Sequence, residues 1–125
     1  MVITFLQVAL GGAIGACLRM ATGMWVARFA APAFPLAVLS VNILGSFLMG
    51  GFAVWVLERG NGALSPFVMT GLLGGFTTFS AFSLEVMTLV EQGDIMLALL
   101  YVGLSVGLSV GALGLGLWLM RGVPA

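Results

Sequence analysis

The chain has 125 residues, of which 62% are hydrophobic and 6% are charged, and its four arginines balance four acidic residues. Soluble domains carry about 25% charged residues, so this composition excludes a soluble globular protein and predicts an integral membrane protein. The balanced charge excludes nucleic acid as a partner. With no histidine and one cysteine, the usual nucleophile, base and metal-ligand combinations of enzymes are also missing.

Four segments are apolar enough and long enough to cross a bilayer, which takes about 20 predominantly apolar residues. The predicted helices are 2–29, 35–57, 66–90 and 95–120. Together they predict a single four-helix transmembrane domain over residues 1–125. The connections are short, the first being Ala30–Phe34 with Pro32, so we expect successive helices to be antiparallel neighbours. The N-terminus has no basic region, so the first segment is expected to be a retained helix rather than a signal peptide.

Arg19 is the residue in the first helix that is most costly to place in a membrane. It shares a helical face with Gly12 and Gly15, where small residues allow another helix to approach closely. A charged side chain at a helix centre is disfavoured by about 2.5 to 3.5 kcal/mol. Two interpretations stay open: Arg19 extends to the membrane surface, or it faces a wet vestibule and attracts anions.

Asn42 is the most polar residue of the second helix, and its amide requires partners. It either forms an interhelical hydrogen bond, worth roughly 0.6 to 2 kcal/mol, or presents its NH₂ group to an anion in a pore. In the fourth helix, Ser105 and Ser109 share a face, with Tyr101 one turn earlier. These serines either bond their own i−4 carbonyls or line a polar track. A glycine stripe on the same helix, 103, 107 and 111, predicts a packing face.

The stretch Gly74–Ser83, GGFTTFSAFS, places glycines, hydroxyls and phenylalanines inside an otherwise apolar segment. An uninterrupted helix requires none of them. Irregular backbone at membrane depth is tolerated only where it is buried in protein or lines a water-filled cavity. Broken helices present carbonyl oxygens and helix-dipole ends, which bind small ions. The stretch therefore predicts that the third helix is broken mid-membrane and that an ion site lies at the break.

Phe79 and Phe82 follow the predicted break and would share one helical face. They either contact lipid and core, or turn their electropositive ring edges toward an anion. Glu85 follows three residues later, either in a vestibule or as a group that accepts hydrogen bonds at the interface. The hydroxyls of Thr77, Thr78 and Ser80 are available to the same polar track.

The arginines give little orientation bias. Arg59 and Arg121 lie on one side of the predicted bundle, and Arg28 lies on the other, with Arg19 if it reaches the surface. The two sides therefore differ by one arginine or by none, so the positive-inside rule specifies the orientation of the chain only weakly. An antiparallel homodimer accommodates both orientations and places the same broken helix on a two-fold axis.

These residues resemble the Fluc-type (CrcB-like) small fluoride channels, which export fluoride from bacteria. The resemblance covers the whole chain and is carried by GGAIGACLR (11–19), VNILGSFLMG (41–50), GGFTTFSAFSLE (74–85) and YVGLSVGLS (101–109). It implies a passive, multi-pass channel of the cell inner membrane, not an enzyme. The implied assembly is an antiparallel, dual-topology homodimer with two fluoride pores along the subunit interface and a structural sodium ion at its centre.

The resemblance also implies roles for particular residues. The backbone carbonyls of Gly74 and Thr77 would hold the sodium ion, and the vestibule would contain Arg19 and Glu85. The implied fluoride pore is lined by Asn42, Phe79, Phe82, Ser105 and Ser109, with Thr78 and Ser80 beside them. The implied partners are fluoride, the lipid bilayer and a second copy of the chain, without nucleic acid or nucleotide. The chain departs from the family at Val38, where family members often carry threonine.

Two other functions are weaker fits. A small dual-topology multidrug or cation transporter needs a membrane-embedded carboxylate in its first helix, and Met1–Arg28 contains no Asp or Glu. A structural assembly subunit would account for the glycine stripes, but it leaves the interruption within Gly74–Ser83 without a purpose.

Overall fold

The computed structural model describes residues 1–29 and 34–123, and these residues form helices and turns without a strand. Pro32 and the rest of 30–33, in the predicted first connection, lie outside the described residues. Four helical segments are long and apolar enough to cross a membrane: Val2–Ala27, Leu36–Glu58, Gly62–Glu91 and Ile95–Arg121. The prediction of an all-α protein with four candidate spans is confirmed.

Five helical elements, two of them partly π-helical, form these spans. They are α1 (Val2–Ala27), α2 (Leu36–Ala53, extended by the π-helical Val54–Glu58), α3 (the π-helical Pro66–Leu73 and the α-helical turn Gly74–Phe76), α4 (Phe79–Glu91) and α5 (Ile95–Arg121). The third span thus contains both α3 and α4, and a short 3₁₀ turn, Gly62–Leu64, precedes it.

The helix ends follow the local sequence. Pro66 opens α3, where its missing N–H costs nothing because the first N–H groups of a helix have no intrahelical acceptor. Thr78 caps α4 by accepting the Ala81 N–H on its hydroxyl at 3.2 Å. Gly60 and Gly93 have φ values of 82° and 83° in the turns that follow α2 and α4, a conformation that favours glycine.

Two helix pairs carry most of the packing, α1 against α3 and α2 against α5. Both crossings depend on glycine. A Cβ atom on Gly15 would collide with the Leu72 carbonyl, and one on Gly50 would collide with the Leu113 carbonyl. Small residues at helix crossings let the backbones approach closely, which is how helices gain packing energy in a bilayer. The glycine stripe predicted to pack, 103, 107 and 111, has no atom of the described chain within 4 Å of its Cβ positions.

The hydrophobic core lies between α2, α4 and α5. Its buried members are Leu39, Phe82, Leu89, Ala98 and Tyr101. Because Phe82 lies on the first turn of α4, this core fixes the position of the helix that resumes after the interruption in the third span.

Polar groups join the ends of the second and fourth spans. Arg121 forms an ion pair with Glu58 at 3.0 Å, and Arg59 Nη2 donates to the carbonyls of Met120, at 2.6 Å, and Val123. These bonds fix the register of α5 against α2, since each helix end supplies a donor or an acceptor to the other.

Candidate functional site

The backbone of the third span leaves helical geometry at Thr77 and Thr78. Thr77 has φ −84° and ψ 159°, and Thr78 has φ −150° and ψ 124°, both extended. In a continuous helix, the N–H groups of residues 78, 79 and 81 would bond the carbonyls of Gly74, Gly75 and Thr77. The extended pair separates these donors from their acceptors, so the freed groups need other partners.

Asn42 on α2 binds the backbone of Thr78 through both ends of its amide. Its Nδ2 donates to the Thr78 carbonyl at 2.9 Å, and its Oδ1 accepts the Thr78 N–H at 2.8 Å. Of the two interpretations of Asn42, the structure therefore contains the interhelical hydrogen bond, in a paired form. One N–H of the amide is not used by this pair.

Arg19 on α1 reaches the same region from the opposite helix. Its Nε donates to the Gly75 carbonyl at 3.1 Å, and the side chain is half-buried. The guanidinium thus supplies a donor to a carbonyl that loses its helical partner at the interruption, and its charge lies beside the end of α3.

The carbonyls of Gly74 and Thr77 also lose their helical donors. The Thr78 N–H, which would serve Gly74, donates to Asn42 Oδ1, and the Ala81 N–H, which would serve Thr77, donates to the Thr78 hydroxyl. Within residues 1–29 and 34–123 there is no group of three or more His, Cys, Asp or Glu side chains suited to a metal.

A cavity of about 380 Å³ lies beside the interruption, between α2, α4 and α5. Several of the predicted site residues line it: Asn42, Thr77, Thr78, Phe79, Phe82, Ser105 and Ser109. Met49, Val106, Val110 and other apolar residues complete its wall. The cavity is mostly apolar, with amide and hydroxyl groups at a few positions and no charged side chain among its lining residues.

Two of the three serines that line the cavity, Ser105 and Ser109, are not bonded to their own helix. Ser105 Oγ and Ser109 Oγ are buried without a hydrogen-bond partner among the described residues, and so is Tyr101 Oη. The i−4 carbonyl bond that serines commonly make in membrane helices is therefore absent here. Each hydroxyl keeps a donor and acceptor capacity for whatever enters the cavity.

The two phenylalanines differ in their surroundings. Phe82 is 8% exposed and belongs to the core, whereas Phe79 is 76% exposed. Their ring centroids lie 5.3 Å apart, and Phe82 is equally close to the ring of Tyr101. Phe34 packs edge-on against Tyr101 at 5.6 Å. Four aromatic rings thus run in series from the exposed Phe79 past the cavity to the start of α2.

Four predicted site residues lie outside the cavity lining: Gly74, Ser80, Glu85 and Arg19. Ser80 is exposed, with its hydroxyl 3.3 Å from the Thr78 hydroxyl. Glu85 is half-buried on α4 and forms no ion pair within the described chain. Arg19 contacts the Gly75 carbonyl on the α1 side. The vestibule roles of Arg19 and Glu85 stay predictions.

Two further residues shape the site although the sequence did not single them out for it. Tyr101 is fully buried and places its ring against Phe82 and its unbonded hydroxyl one turn before Ser105. Its position one turn before Ser105 was evident from the sequence, but its contact with Phe82 was not. Gly45 leaves the space that the Thr77 methyl group occupies beside α2, since a Cβ there would collide with it. The sequence predicts a close helix approach at Gly45, as at Gly50 and Gly51, but not its partner, because that partner lies on another helix.

Four apolar spans, the third of them interrupted beside a sparsely polar cavity, define a small polytopic membrane protein with the features of an ion-conducting subunit. The chain belongs to the family described as CrcB-like protein, Camphor Resistance (CrcB), whose profile matches residues 6–117. A relative from Ruegeria sp. is 60% identical over 124 residues, covering 98% of both chains. One from Roseobacter denitrificans is 58% identical over 122 residues, covering 96% of this chain and 97% of the relative.

A third relative, from Jannaschia sp., is 68% identical over 93 residues, covering 74% of this chain and 89% of the relative. All three relatives carry the name fluoride-specific ion channel FluC. The resemblance to the fluoride channel family is therefore confirmed, and with it the prediction that the chain belongs to a family of channels rather than enzymes.

Proposed function

We propose that this chain is the subunit of a passive, fluoride-selective channel that exports fluoride across the bacterial inner membrane. Relatives of up to 60% identity over nearly the full length carry the name of a fluoride-specific ion channel. The four candidate spans place the chain in a membrane. No residue lining the cavity is charged, so an anion would meet no fixed charge of opposite sign that holds it tightly.

The observation that carries this proposal is the pair of unbonded serine hydroxyls beside the phenylalanine rings. Fluoride is small and strongly hydrated, so a pore must replace its water with hydrogen-bond donors in series. Ser105 and Ser109 supply hydroxyl donors, Asn42 retains an N–H, and the edges of Phe79 and Phe82 carry partial positive charge. Each of these groups attracts fluoride only weakly, so the ion can leave each of them.

The two pores would run along the interface of an antiparallel homodimer. Phe79 lies beside the cavity yet is 76% exposed in the single chain, so one wall of the path is open. The glycine stripe of α5 also lacks neighbours within the described chain, and small residues of this kind permit a second helix to approach. An inverted copy would cover these surfaces and place the two interrupted spans together at mid-membrane.

The carbonyls of Gly74 and Thr77 fit a structural sodium ion on the two-fold axis. Their helical donors are diverted to Asn42 and to the Thr78 hydroxyl, so both oxygens lack these partners. Two copies would supply four oxygens, the ligand type that hard cations prefer. When bound, the ion would supply positive charge at the junction of the subunits. Asn42 and Arg19 would hold the carbonyls in place by bonding the neighbouring Thr78 and Gly75.

The proposal is tested by anion efflux from liposomes that contain the purified protein. A fluoride-sensitive electrode should record rapid fluoride release, and a chloride electrode should record none beyond that of protein-free liposomes. We expect fluoride but not chloride to be released, because the hydroxyl and amide donors of the cavity are placed for a small anion. Equal release of both anions, or no fluoride release from protein that is folded and dimeric, would overturn the proposal.

A further inference from the structure

We propose that the groove between α2 and α5, at the Arg59 end of the molecule, binds one anionic phospholipid, with an acyl chain in the groove and the phosphate on Arg59. The groove has a volume of about 290 Å³. Its lining is wholly apolar: Phe47, Leu48, Gly51, Phe52, Gly116, Leu119, Met120 and Val123. It is separate from the cavity of the proposed fluoride path.

The groove opens on a different side of α2 from that cavity. Gly51 lies nine residues after Asn42, which is about 180° around a helix of 3.6 residues per turn. A Cβ atom added to Gly51 would have no atom of residues 1–29 or 34–123 within 4 Å, so these residues leave space in the groove there. An apolar groove that faces away from the proposed fluoride path is suited to a lipid acyl chain rather than to an ion.

The groove follows α2 and α5 toward the Arg59 end of the molecule. Its lining residues run from Phe47 to Phe52 on α2 and from Gly116 to Val123 on α5 and just beyond it, and Arg59 follows Phe52 by seven residues. Arg59 directly follows the second span, where we expect the headgroups to meet the hydrocarbon. A chain running from Arg59 toward Phe47 would therefore lie parallel to the lipids around it.

The charge at the mouth of the groove selects an anionic headgroup. Arg59 bonds the carbonyls of Met120 and Val123, which are themselves lining residues, through Nη2 alone. No described residue accepts from its Nε or Nη1, so three N–H donors are directed elsewhere. Arg121 is paired with Glu58. Among the described side chains at this end, two guanidinium groups and one carboxylate give a net positive charge, and basic pockets between helices favour anionic headgroups.

The test is native mass spectrometry of the full-length protein released from nanodiscs of phosphatidylglycerol or phosphatidylcholine. The wild-type protein should retain one phosphatidylglycerol per chain under activation that removes phosphatidylcholine. Arg59→Gln, whose amide can still donate to the helix-end carbonyls, should lower phosphatidylglycerol retention about tenfold. The matched control is Arg28→Gln, at the other end of the bundle, which should leave retention unchanged.

A second variant tests the groove itself. Gly51→Leu places a side chain in the open space of the groove and should reduce retention of both lipids, whereas Ala9→Leu, on the exposed face of α1, should reduce neither. Equal retention of the two lipids by the wild-type protein would overturn the headgroup assignment. Retention that Arg59→Gln or Gly51→Leu leaves unchanged would place the lipid elsewhere. If the wild-type protein retains neither lipid, the groove is covered by protein and the proposal is wrong.

Discussion

Asn42 and Arg19 take over hydrogen bonds that the third span loses when its backbone becomes extended. Asn42 bonds the N–H and the carbonyl of Thr78, and Arg19 bonds the carbonyl of Gly75. Both come from other helices, so each also ties a neighbour to the interruption. Their polarity, which looked like a cost of membrane insertion, satisfies backbone groups that lipid cannot.

Asn42→Ala should destabilise the folded protein by about 1 to 3 kcal/mol, because the Thr78 N–H and carbonyl lose their partners while partly buried. The matched control is Ser40→Ala on the same helix, for which no side-chain hydrogen bond is present in the described chain and a change within about 0.5 kcal/mol is expected. Thermal unfolding in detergent measures both. Equal midpoints for the two variants would show that the amide pair contributes nothing.

The pairing of Asn42 with Thr78 could not be predicted from the sequence. The two residues are 36 positions apart, and an amide in a membrane helix has many potential partners. From the sequence, the Asn42 amide either forms an interhelical hydrogen bond or donates to an anion in a pore. Only the crossing of α2 over the third span decides that the amide bonds a backbone group there.

The third span divides into two halves with different neighbours. α3 packs on α1, and α4 packs in the core with α2 and α5. The extended residues Thr77 and Thr78 join these halves. The composition of Gly74–Ser83 predicted irregular backbone here, because an uninterrupted apolar helix requires none of its glycines and hydroxyls. The π-helical form of Pro66–Leu73 had no signal in the sequence. Contacts with a neighbouring helix decide which turn adopts the i→i+5 hydrogen bonds of a π-helix.

Gly15→Ala should destabilise the contact of α1 with α3 by about 1 to 3 kcal/mol, because the new methyl group would collide with the Leu72 carbonyl. Gly23→Ala on the same helix is the control, since its Cβ would lie 4.0 Å from the Cβ of Ala37, at ordinary contact distance. We expect Gly23→Ala to be neutral or slightly stabilising. Chemical unfolding in detergent compares them, and a larger loss for Gly23→Ala would contradict the packing described for α1.

Phe79→Ile and Phe82→Ile should both reduce fluoride flux, because each removes a ring edge from the cavity wall. Their effects on stability should differ. Phe82 is buried in the core, so its replacement should cost about 1 to 2 kcal/mol, whereas the exposed Phe79 should cost about 0.5 kcal/mol or less. Efflux per folded protein and thermal unfolding separate the two effects. Full flux in both variants would mean that the rings only pack.

The four candidate spans followed from hydropathy alone, since little else in the chain could form a core. Which spans pack against each other could not be predicted from hydropathy, because apolar side chains in a membrane do not specify which neighbour they contact. Close approach at Gly15 and Gly50 depends on which carbonyl lies opposite each glycine. In the proposed dimer, the same principle would apply between copies, where the open glycine stripe and the exposed Phe79 would meet an inverted partner.

Fluoride efflux from liposomes, measured with sodium and then with a bulky organic cation on both sides of the membrane, tests the proposed ion site most directly. Rapid efflux is expected in sodium, because the carbonyls of Gly74 and Thr77 would then hold the interrupted spans of the two copies together. Efflux should be lost in the organic cation, which is too large to fit between these oxygens. Absence of efflux in sodium, or equal efflux in both cations, would contradict the account.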